Sequence, residues 1–92
     1  MRVLVDENAA GDIDALAAWI AKDSPASARA VASDVLAVIK QLAQFPRIGH
    51  VGREAGTYER GVRGTPYIVV YEIRDQPSAV VVISIMHGAR ER

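Results

Sequence analysis

Apolar residues in the first half of the chain recur at the spacing of a helix. In the first such segment they stand at i, i+3, i+4 and i+7: Ile13, Leu16, Ala17 and Ile20. Asp6 to Asn8 precede it and offer side-chain oxygens that can cap a helix. A second helix is expected from Pro25 to about Gln44, because Ser24 suits the cap and Pro46 stops the helix. Together the segments predict an α-hairpin over residues 9–44.

The second half of the chain changes to runs of β-branched residues. Four segments of the chain are predicted to be strands: Met1–Val5, Tyr58–Val62, Tyr67–Ile73 and Ala79–Met86. The last two are apolar at successive positions, as in strands that are covered on both faces. Arg74 to Ser78 is predicted to be a hairpin loop between them, and Arg47 to Gly56 a longer loop. The order β-α-α-β-β-β predicts one α+β domain over residues 1–92, with the α-hairpin on one face of an antiparallel sheet.

Composition excludes several kinds of site. The 92 residues contain no cysteine and only two histidines, so disulfides, thiolate metal centres and cysteine nucleophiles are excluded and no metal site is expected. Glycine-rich phosphate-binding patterns are missing, and no cofactor is predicted. The longest apolar run, Ala15 to Ala21, is too short to span a membrane. The first twelve residues lack the shape of a signal peptide, so a cytoplasmic protein without a membrane partner is expected.

Charge is balanced overall but unevenly distributed. Residues 1–46 carry four Lys/Arg and six Asp/Glu, whereas residues 47–92 carry seven and five. All seven cations of the second half are arginines, which suit phosphate and carboxylate partners. A preference for GC-rich codons explains the arginines equally well. The broad basic surface expected of a protein that binds nucleic acid alone is missing.

Four stretches of the chain carry a resemblance to a known group of proteins. In order they are Ser24–Ala28, Phe45–Gly49, Tyr67–Ile73 and Val82–Arg90. Their order and spacing resemble the RelE/ParE superfamily of toxins from bacterial type II toxin–antitoxin pairs. The resemblance implies a growth inhibitor that forms a hetero-oligomer with a small antitoxin, and that contacts operator DNA only through this antitoxin.

Two branches of this superfamily imply different targets. RelE-like members are ribosome-dependent mRNA endonucleases, whereas ParE-like members are associated with inhibition of DNA gyrase. The strand arginine of the nucleases falls at Ile68 here, and their lysines fall near Glu59 and Gly61. Their tyrosine beyond the final arginine has no counterpart. The sequence therefore favours a ParE-like gyrase inhibitor. Its alternatives are a ribosome-dependent mRNA endonuclease and a non-toxic module that binds its antitoxin in operator autoregulation.

Candidate site residues follow from these hypotheses. A gyrase inhibitor needs no catalytic residue, and its target-binding residues are predicted to be the arginines of the second half: Arg60, Arg63, Arg90 and Arg92. Solvation of a polar edge strand is the alternative for the first two. The nuclease hypothesis instead assigns catalysis to Glu59, Arg60, His87 and Arg90, since histidine suits proton transfer near pH 7. The alternative for His87 is that it ends the last strand and hydrogen-bonds the backbone of the Gly88 turn.

The antitoxin is predicted to lay a helix along the α-hairpin. The apolar arc of the second helix is wider than packing on a sheet requires, which predicts contacts at Trp19, Leu36 and Val38. A thick contact between the two helices is the alternative. Tyr67 and Tyr71 are four residues apart on one strand and therefore share a face, where core packing is favoured over base stacking.

Overall fold

The computed structural model describes residues 1–91 and has the α+β architecture predicted from the sequence. The elements, in chain order, are β1 (Arg2–Val5), α1 (Glu7–Ala21), α2 (Pro25–Gln44), β2 (His50–Val51), β3 (Tyr58–Gly61), β4 (Tyr67–Asp75), β5 (Ser78–His87) and α3 (Gly88–Glu91). The α-hairpin formed by α1 and α2 packs on one face of the sheet, which we call the helix face; the opposite side is the outer face.

The five strands form one sheet in the order β1-β5-β4-β3-β2. β2 to β5 are antiparallel neighbours, but β1 runs parallel to β5, with Arg2 opposite Ala79 and Val5 opposite Val82. The prediction of an antiparallel sheet is therefore wrong for β1, and the sheet is mixed. A tight hairpin imposes antiparallel pairing only on consecutive strands, and β1 is far from β5 along the chain.

Both predicted helix starts are confirmed by their caps. The Asp6 carboxylate accepts a hydrogen bond from the Ala9 N–H at 2.8 Å, and the Ser24 hydroxyl accepts one from Ser27 at 3.1 Å. Pro25 occupies the first turn of α2, as expected, and α2 ends at Gln44. These signals are local, since each cap lies within three residues of the group it satisfies.

The strands differ from prediction at their ends. β4 continues to Asp75, and β5 already begins at Ser78. Only Gln76 and Pro77 remain between the two strands, and they are joined by a cis peptide bond. β2 lies inside the segment predicted to be a loop, and α3 was not predicted. β2 has two residues and α3 has four, and elements this short show no hydrophobic periodicity in the sequence.

β5 contains a bulge that changes which side chains face the helices. Val70 pairs with Ser84 and Tyr71 with Val82, so Ile83 has no partner in the ladder. Before the bulge the even-numbered Val80 and Val82 enter the core, and after it the odd-numbered Ile85 does. A bulge adds one residue to one strand, so the alternation of faces shifts by one position.

The unpaired edge of β5 beyond β1 is covered by α1. β1 pairs with β5 only as far as Val82. Beyond that point, the Asn8 amide donates to the Ile83 carbonyl at 2.9 Å, and the Asp12 carboxylate accepts the Ile85 N–H at 2.9 Å. Side chains of α1 thus replace a neighbouring strand, because buried backbone groups need partners.

Tyr71 fastens the loop after α2 to the core. It is fully buried, stacks on Tyr58 with ring centroids 5.6 Å apart, donates to the Pro46 carbonyl at 2.8 Å and accepts from the Gly49 N–H at 3.0 Å. Burial is the main cause that raises its pKa above 10.0. Tyr67 also lies in the core, which confirms the packing predicted for both tyrosines.

Candidate functional site

A cleft opens on the helix face between the C-terminal half of α1 and the ends of β4 and β5. Its volume is about 260 Å3, and its walls include Asp12, Leu16, Trp19, Tyr67, His87 and Arg90. We call this cavity the Trp19 cleft. It joins α1, which is early in the sequence, to the last strand and α3, so no local pattern could predict it.

Trp19 forms an exposed wall of the cleft, and two cations lie over its ring. Its side chain is 57% exposed at the end of α1. The Lys22 Nζ atom lies 4.9 Å from the ring centroid and the Arg90 Cζ atom 5.7 Å, both within the range of cation–π contacts. Neither cation forms a salt bridge with the side chains of residues 1–90. Trp19 is thus an exposed aromatic side chain with two neighbouring cations, and the same cleft also has the acid Asp12 on its wall.

His87 forms the inner wall of the cleft. It ends β5, as predicted, and the bulge turns it to the helix face, where its ring meets Tyr67 edge-on at 5.4 Å. The backbone of the Gly88 turn is bonded elsewhere, since the Gly88 N–H donates to Pro66 at 2.8 Å. His87 Nδ1 is buried with no hydrogen-bond partner in the described structure, so the predicted bond to this turn is wrong.

Asp12 was not predicted to be part of a site. In the sequence it falls near the start of the predicted helix, where the dipole favours acids, but α1 begins at Glu7 and Asp12 lies in its second turn. The structure gives it a second role, because its carboxylate binds the Ile85 N–H at the bulge while it also lines the Trp19 cleft. The hydrogen bond spans 73 residues of sequence, which no spacing rule detects.

Glu59 lies on the other side of the sheet from His87. It pairs with Val70 on the outer face, whereas His87 pairs with Tyr67 on the helix face. Glu59 is only 3% exposed, and its Oε2 atom accepts the Arg53 N–H at 3.1 Å, while His50 Nε2 lies 3.6 Å from Oε1. The structure therefore does not bring together the acid and the histidine of the nuclease hypothesis.

Three of the four predicted target-binding arginines lie toward one end of the molecule. Arg63 is exposed in the β3–β4 turn, and Arg90 is exposed in α3. Arg60 lies on β3 opposite Val69, two residues from that turn, and is half-buried. The Gly88–Pro66 hydrogen bond joins the turn to the start of α3. Arg92 lies outside the described residues.

The three predicted antitoxin contacts have different surroundings. Leu36 is 48% exposed on α2, in a shallow groove with Arg29 and Lys40. Val38 is half-buried and packs against the core. Trp19 belongs to the cleft described above and does not line the groove at Leu36. The apolar arc of α2 thus divides between the core and an exposed strip.

Residues 1–91 contain neither a metal-binding cluster nor a helix that could span a membrane. No group of three or more His, Asp or Glu side chains there is arranged to hold a metal ion. Neither α1 nor any other described helix combines the length and apolar character needed to cross a membrane.

The chain is similar to a known protein family and to a curated sequence. Residues 3–92 match a family described as the ParE toxin of the type II toxin–antitoxin system parDE. The chain is similar to "Putative toxin Y4kP" of Sinorhizobium fredii, at 32% identity over 80 residues, which cover 86% of this chain and 79% of the relative.

Solved structures with a similar fold come from toxin–antitoxin systems. A chain from the chromosomal ParDE system of P. aeruginosa superposes with a TM-score of 0.83 at 18% identity, covering 95% of both chains. A chain of the RelBE2 complex of Mycobacterium tuberculosis gives 0.67 at 26% identity, covering 94% of this chain and 95% of the other. A chain of the E. coli RelBE complex gives 0.67 at 22%, covering 91% and 92%.

Proposed function

The chain belongs to the ParE toxin family of type II toxin–antitoxin systems, and we propose that it inhibits growth by binding DNA gyrase and is neutralised by a cognate antitoxin. Gyrase is taken from the resemblance to ParE-like toxins. The residues of this chain support a binding protein over a nuclease, for the reasons that follow.

The separation of Glu59 from His87 is the observation that carries this proposal. Metal-independent RNA cleavage needs a base for the 2′-OH and an acid for the leaving oxygen, both within hydrogen-bond reach of one phosphate. Glu59 is buried on the outer face and already bonded to the Arg53 N–H, whereas His87 opens to the helix face. The sheet stands between them, so they cannot act on one phosphate.

The position of the nuclease arginine on the outer face carries no charge in this chain. Ile68, at the position of the nuclease arginine, pairs with Met86, and the next outer-face pair is Val70 with Ser84. On β3, the other neighbour of β4 in the sheet, Gly61 lies opposite Ile68. Loss of one donor to a transition-state oxyanion commonly lowers the rate by about 10²–10³. The side chains of Ile68, Met86 and Val70 supply no such donor.

The exposed arginines support a protein target. Arg63 and Arg90 lie at the same end of the sheet, and both are exposed arginines, which suit a bidentate contact with a carboxylate. Arg60 borders this end, and Arg92 follows α3 in the sequence. A net charge of zero disfavours a ribosome target, because affinity for RNA rests largely on phosphate neutralisation.

The proposed antitoxin surface combines Trp19 with the exposed strip of α2. Leu36 offers an apolar contact on the solvent side of α2, whereas Val38 points to a different side of the helix and packs against the core. A helix or extended segment of the antitoxin that crosses the α-hairpin can reach both regions. Truncation of a buried interface tryptophan typically weakens binding by about 2 kcal/mol or more.

Two assays on purified protein test the target. Gyrase supercoiling should be inhibited by the parent chain and weakly or not at all by the double variant Arg63→Gln/Arg90→Gln. The matched control is Arg74→Gln, an arginine at the opposite end of the sheet that pairs with Glu72. Messenger RNA on translating ribosomes should stay intact.

Codon-specific cleavage of mRNA with normal supercoiling would instead support the endonuclease. An intact gyrase reaction, intact mRNA and tight antitoxin binding would identify a non-toxic module. Both outcomes contradict the proposal, and circular dichroism of each preparation establishes that the tested chain is folded.

A further inference from the structure

β1 is an edge strand of the sheet, and its far side carries unpaired backbone groups. Val5 pairs with Val82, and the Asp6 N–H donates to the Val82 carbonyl at 3.0 Å. In a parallel ladder this bond fixes the phase, so that residues 2, 4 and 6 direct their backbone groups toward β5. The N–H and C=O groups of Val3 and Val5 therefore point away from the sheet, and no group of the described chain bonds to them.

The side chains of β1 leave this edge accessible. Leu4 and Val5 are 40% and 39% exposed, although both are apolar. Val3 packs against the core from the helix face, so Arg2 and Leu4 lie on the outer face. An accessible edge that combines unpaired backbone groups with apolar side chains is a template for another strand.

This edge is complementary to itself when two copies run antiparallel. If Leu4 lies opposite Leu4 of a second copy, each Val3 lies opposite Val5 of the other copy. Antiparallel residues that exchange both hydrogen bonds must each direct their N–H and C=O toward the partner strand, as Val3 and Val5 do. Every outward backbone group of β1 then has a partner.

The charges of β1 follow the same two-fold pattern. With Leu4 opposite Leu4, Arg2 of each copy lies opposite Asp6 of the other. Opposite charges directly across an antiparallel pair stabilise it. Asp6 keeps its role as a helix cap in this arrangement, because its Oδ1 atom accepts the Ala9 N–H and Oδ2 remains for the arginine.

A shift of the register loses these contacts. With Val3 opposite Val3, Arg2 would lie opposite Leu4, and Val5 would need the backbone of Met1 as its partner. The Met1 amine already donates to the Ala43 carbonyl at 2.8 Å. The pairing centred on Leu4 is therefore the one that the backbone and the charges both favour.

We propose that the free toxin self-associates through β1, which pairs antiparallel with β1 of a second copy and joins the two sheets around a two-fold axis at Leu4. This dimer goes beyond the proposed function, since it requires neither gyrase nor the antitoxin. β1 has only four residues, so the paired surface is small, and the dimer should dissociate on dilution. None of the proposed target-binding arginines lies on β1.

A single introduced thiol reports on this edge, because the chain has no cysteine. Residues of an antiparallel pair without mutual hydrogen bonds have Cα atoms about 4.5 Å apart, which a disulfide can span. Leu4→Cys should therefore form a disulfide-linked dimer under mild oxidation at submillimolar concentration. The control is Val51→Cys on β2, the other edge strand, where the side chain is 77% exposed. Leu4→Cys should cross-link at least tenfold faster than Val51→Cys.

A second pair of variants tests the backbone contact. The Val5 N–H points outward, so Val5→Pro removes a donor to the second copy but no hydrogen bond of the sheet. In the Leu4→Cys background, Val5→Pro should slow cross-linking at least tenfold. Val5→Thr keeps the N–H and should stay within twofold of Leu4→Cys alone. Circular dichroism and melting curves check that each variant folds.

Sedimentation of the cysteine-free chain tests the charge pairing. Arg2→Glu places two acids opposite each other and should raise the dissociation constant of the dimer at least fivefold. Arg29→Glu, at an exposed arginine of α2, makes the same change in net charge and should stay within twofold of the parent.

Several results would overturn this dimer. They are a toxin that sediments as a monomer up to submillimolar concentration, equal cross-linking of Leu4→Cys and Val51→Cys, no slowing by Val5→Pro in a folded chain, and equal dissociation constants for Arg2→Glu and Arg29→Glu. A monomeric toxin whose Leu4→Cys thiol is shielded from alkylation only in the antitoxin complex would assign the edge to the antitoxin instead. A failed supercoiling assay changes none of these outcomes, because gyrase takes no part in them.

Discussion

Tyr71 and His87 lie on the same face of the sheet, and both hold a buried polar atom, but their surroundings differ. The Tyr71 hydroxyl both donates and accepts a hydrogen bond, to Pro46 and from Gly49, inside the core. His87 Nδ1 has no partner in the described chain, and the residue forms part of the wall of the Trp19 cleft. The contrast separates two states of a buried polar atom: the Tyr71 hydroxyl fixes the loop after α2 to the core, whereas the His87 nitrogen contributes no hydrogen bond to the fold.

The largest effect on stability is expected at Gly49, where the Tyr71 contacts converge. A Cβ atom there would lie 2.7 Å from both the Glu59 carbonyl oxygen and the Tyr71 hydroxyl. Gly49→Ala should therefore lower the free energy of unfolding by about 3 kcal/mol, through overpacking and the displaced hydrogen bonds. Urea denaturation measures the change.

The matched control for this substitution is Gly11→Ala. Gly11 is in α1, and a methyl group added there would have no neighbouring atom within 4 Å. Alanine at this position should stabilise the protein by about 0.5–1 kcal/mol, since it favours helix. Equal effects of the two substitutions would mean that Tyr71 is not tightly held.

Tyr71→Phe should have the next largest effect. The substitution leaves the Gly49 N–H and the Pro46 carbonyl without their partner, which should cost about 2 kcal/mol of unfolding free energy. Because burial raises the pKa of Tyr71 above 10.0, the folded state keeps the proton when the unfolded state has lost it. Parent stability should thus fall as the pH rises above 10.

The Tyr71→Phe variant supplies the control for the loss of parent stability above pH 10. Tyr71→Phe has no hydroxyl to titrate, so its stability should decline less steeply above pH 10 than that of the parent. The measurement is urea denaturation at a series of pH values from 8 to about 11. Parallel curves for the two proteins would show that Tyr71 does not carry the dependence.

A smaller effect is expected at Asp12, which is partnered like Tyr71 but lies nearer the solvent. Asp12→Ala removes the acceptor of the Ile85 N–H and should cost about 1 kcal/mol of unfolding free energy, since water can replace part of the bond. Asp14→Ala, an exposed acid on the same helix, should change stability by less than about 0.5 kcal/mol.

The smallest change is expected at His87. His87→Phe keeps a planar ring against Tyr67 and removes the buried unpaired nitrogen, so stability should stay unchanged or rise by up to about 1 kcal/mol. Thermal melting of parent and variant provides the comparison. A loss of about 2 kcal/mol would mean that His87 has a structural partner, and would remove its distinction from Tyr71.

The helices could be predicted from the sequence because their signals are local. Ser24 and Pro25 act within one turn of the helix they start, and Pro46 acts on the residue before it. The direction of β1 could not be predicted, since its pairing with β5 joins Arg2 to Ala79. Pairing over that distance leaves no pattern in either strand alone.

The site was only partly predictable for the same reason. Trp19, His87 and Arg90 were each identified from sequence, but as an antitoxin contact, a catalytic candidate and a target contact. The structure places them around one cleft. The bulge at Ile83 decides which face His87 occupies, and a continuous apolar run gives no sign of a bulge.

The pairing of β1 with β5 has a consequence for the order of synthesis. β1 leaves the ribosome well before β5, the strand with which it pairs. β4 also pairs with β5. Long-range pairing of this kind delays folding. A nascent chain, or one that is terminated before β5, therefore lacks both the closed sheet and the Trp19 cleft, so a cell that makes this toxin meets no folded toxin until β5 has been synthesised.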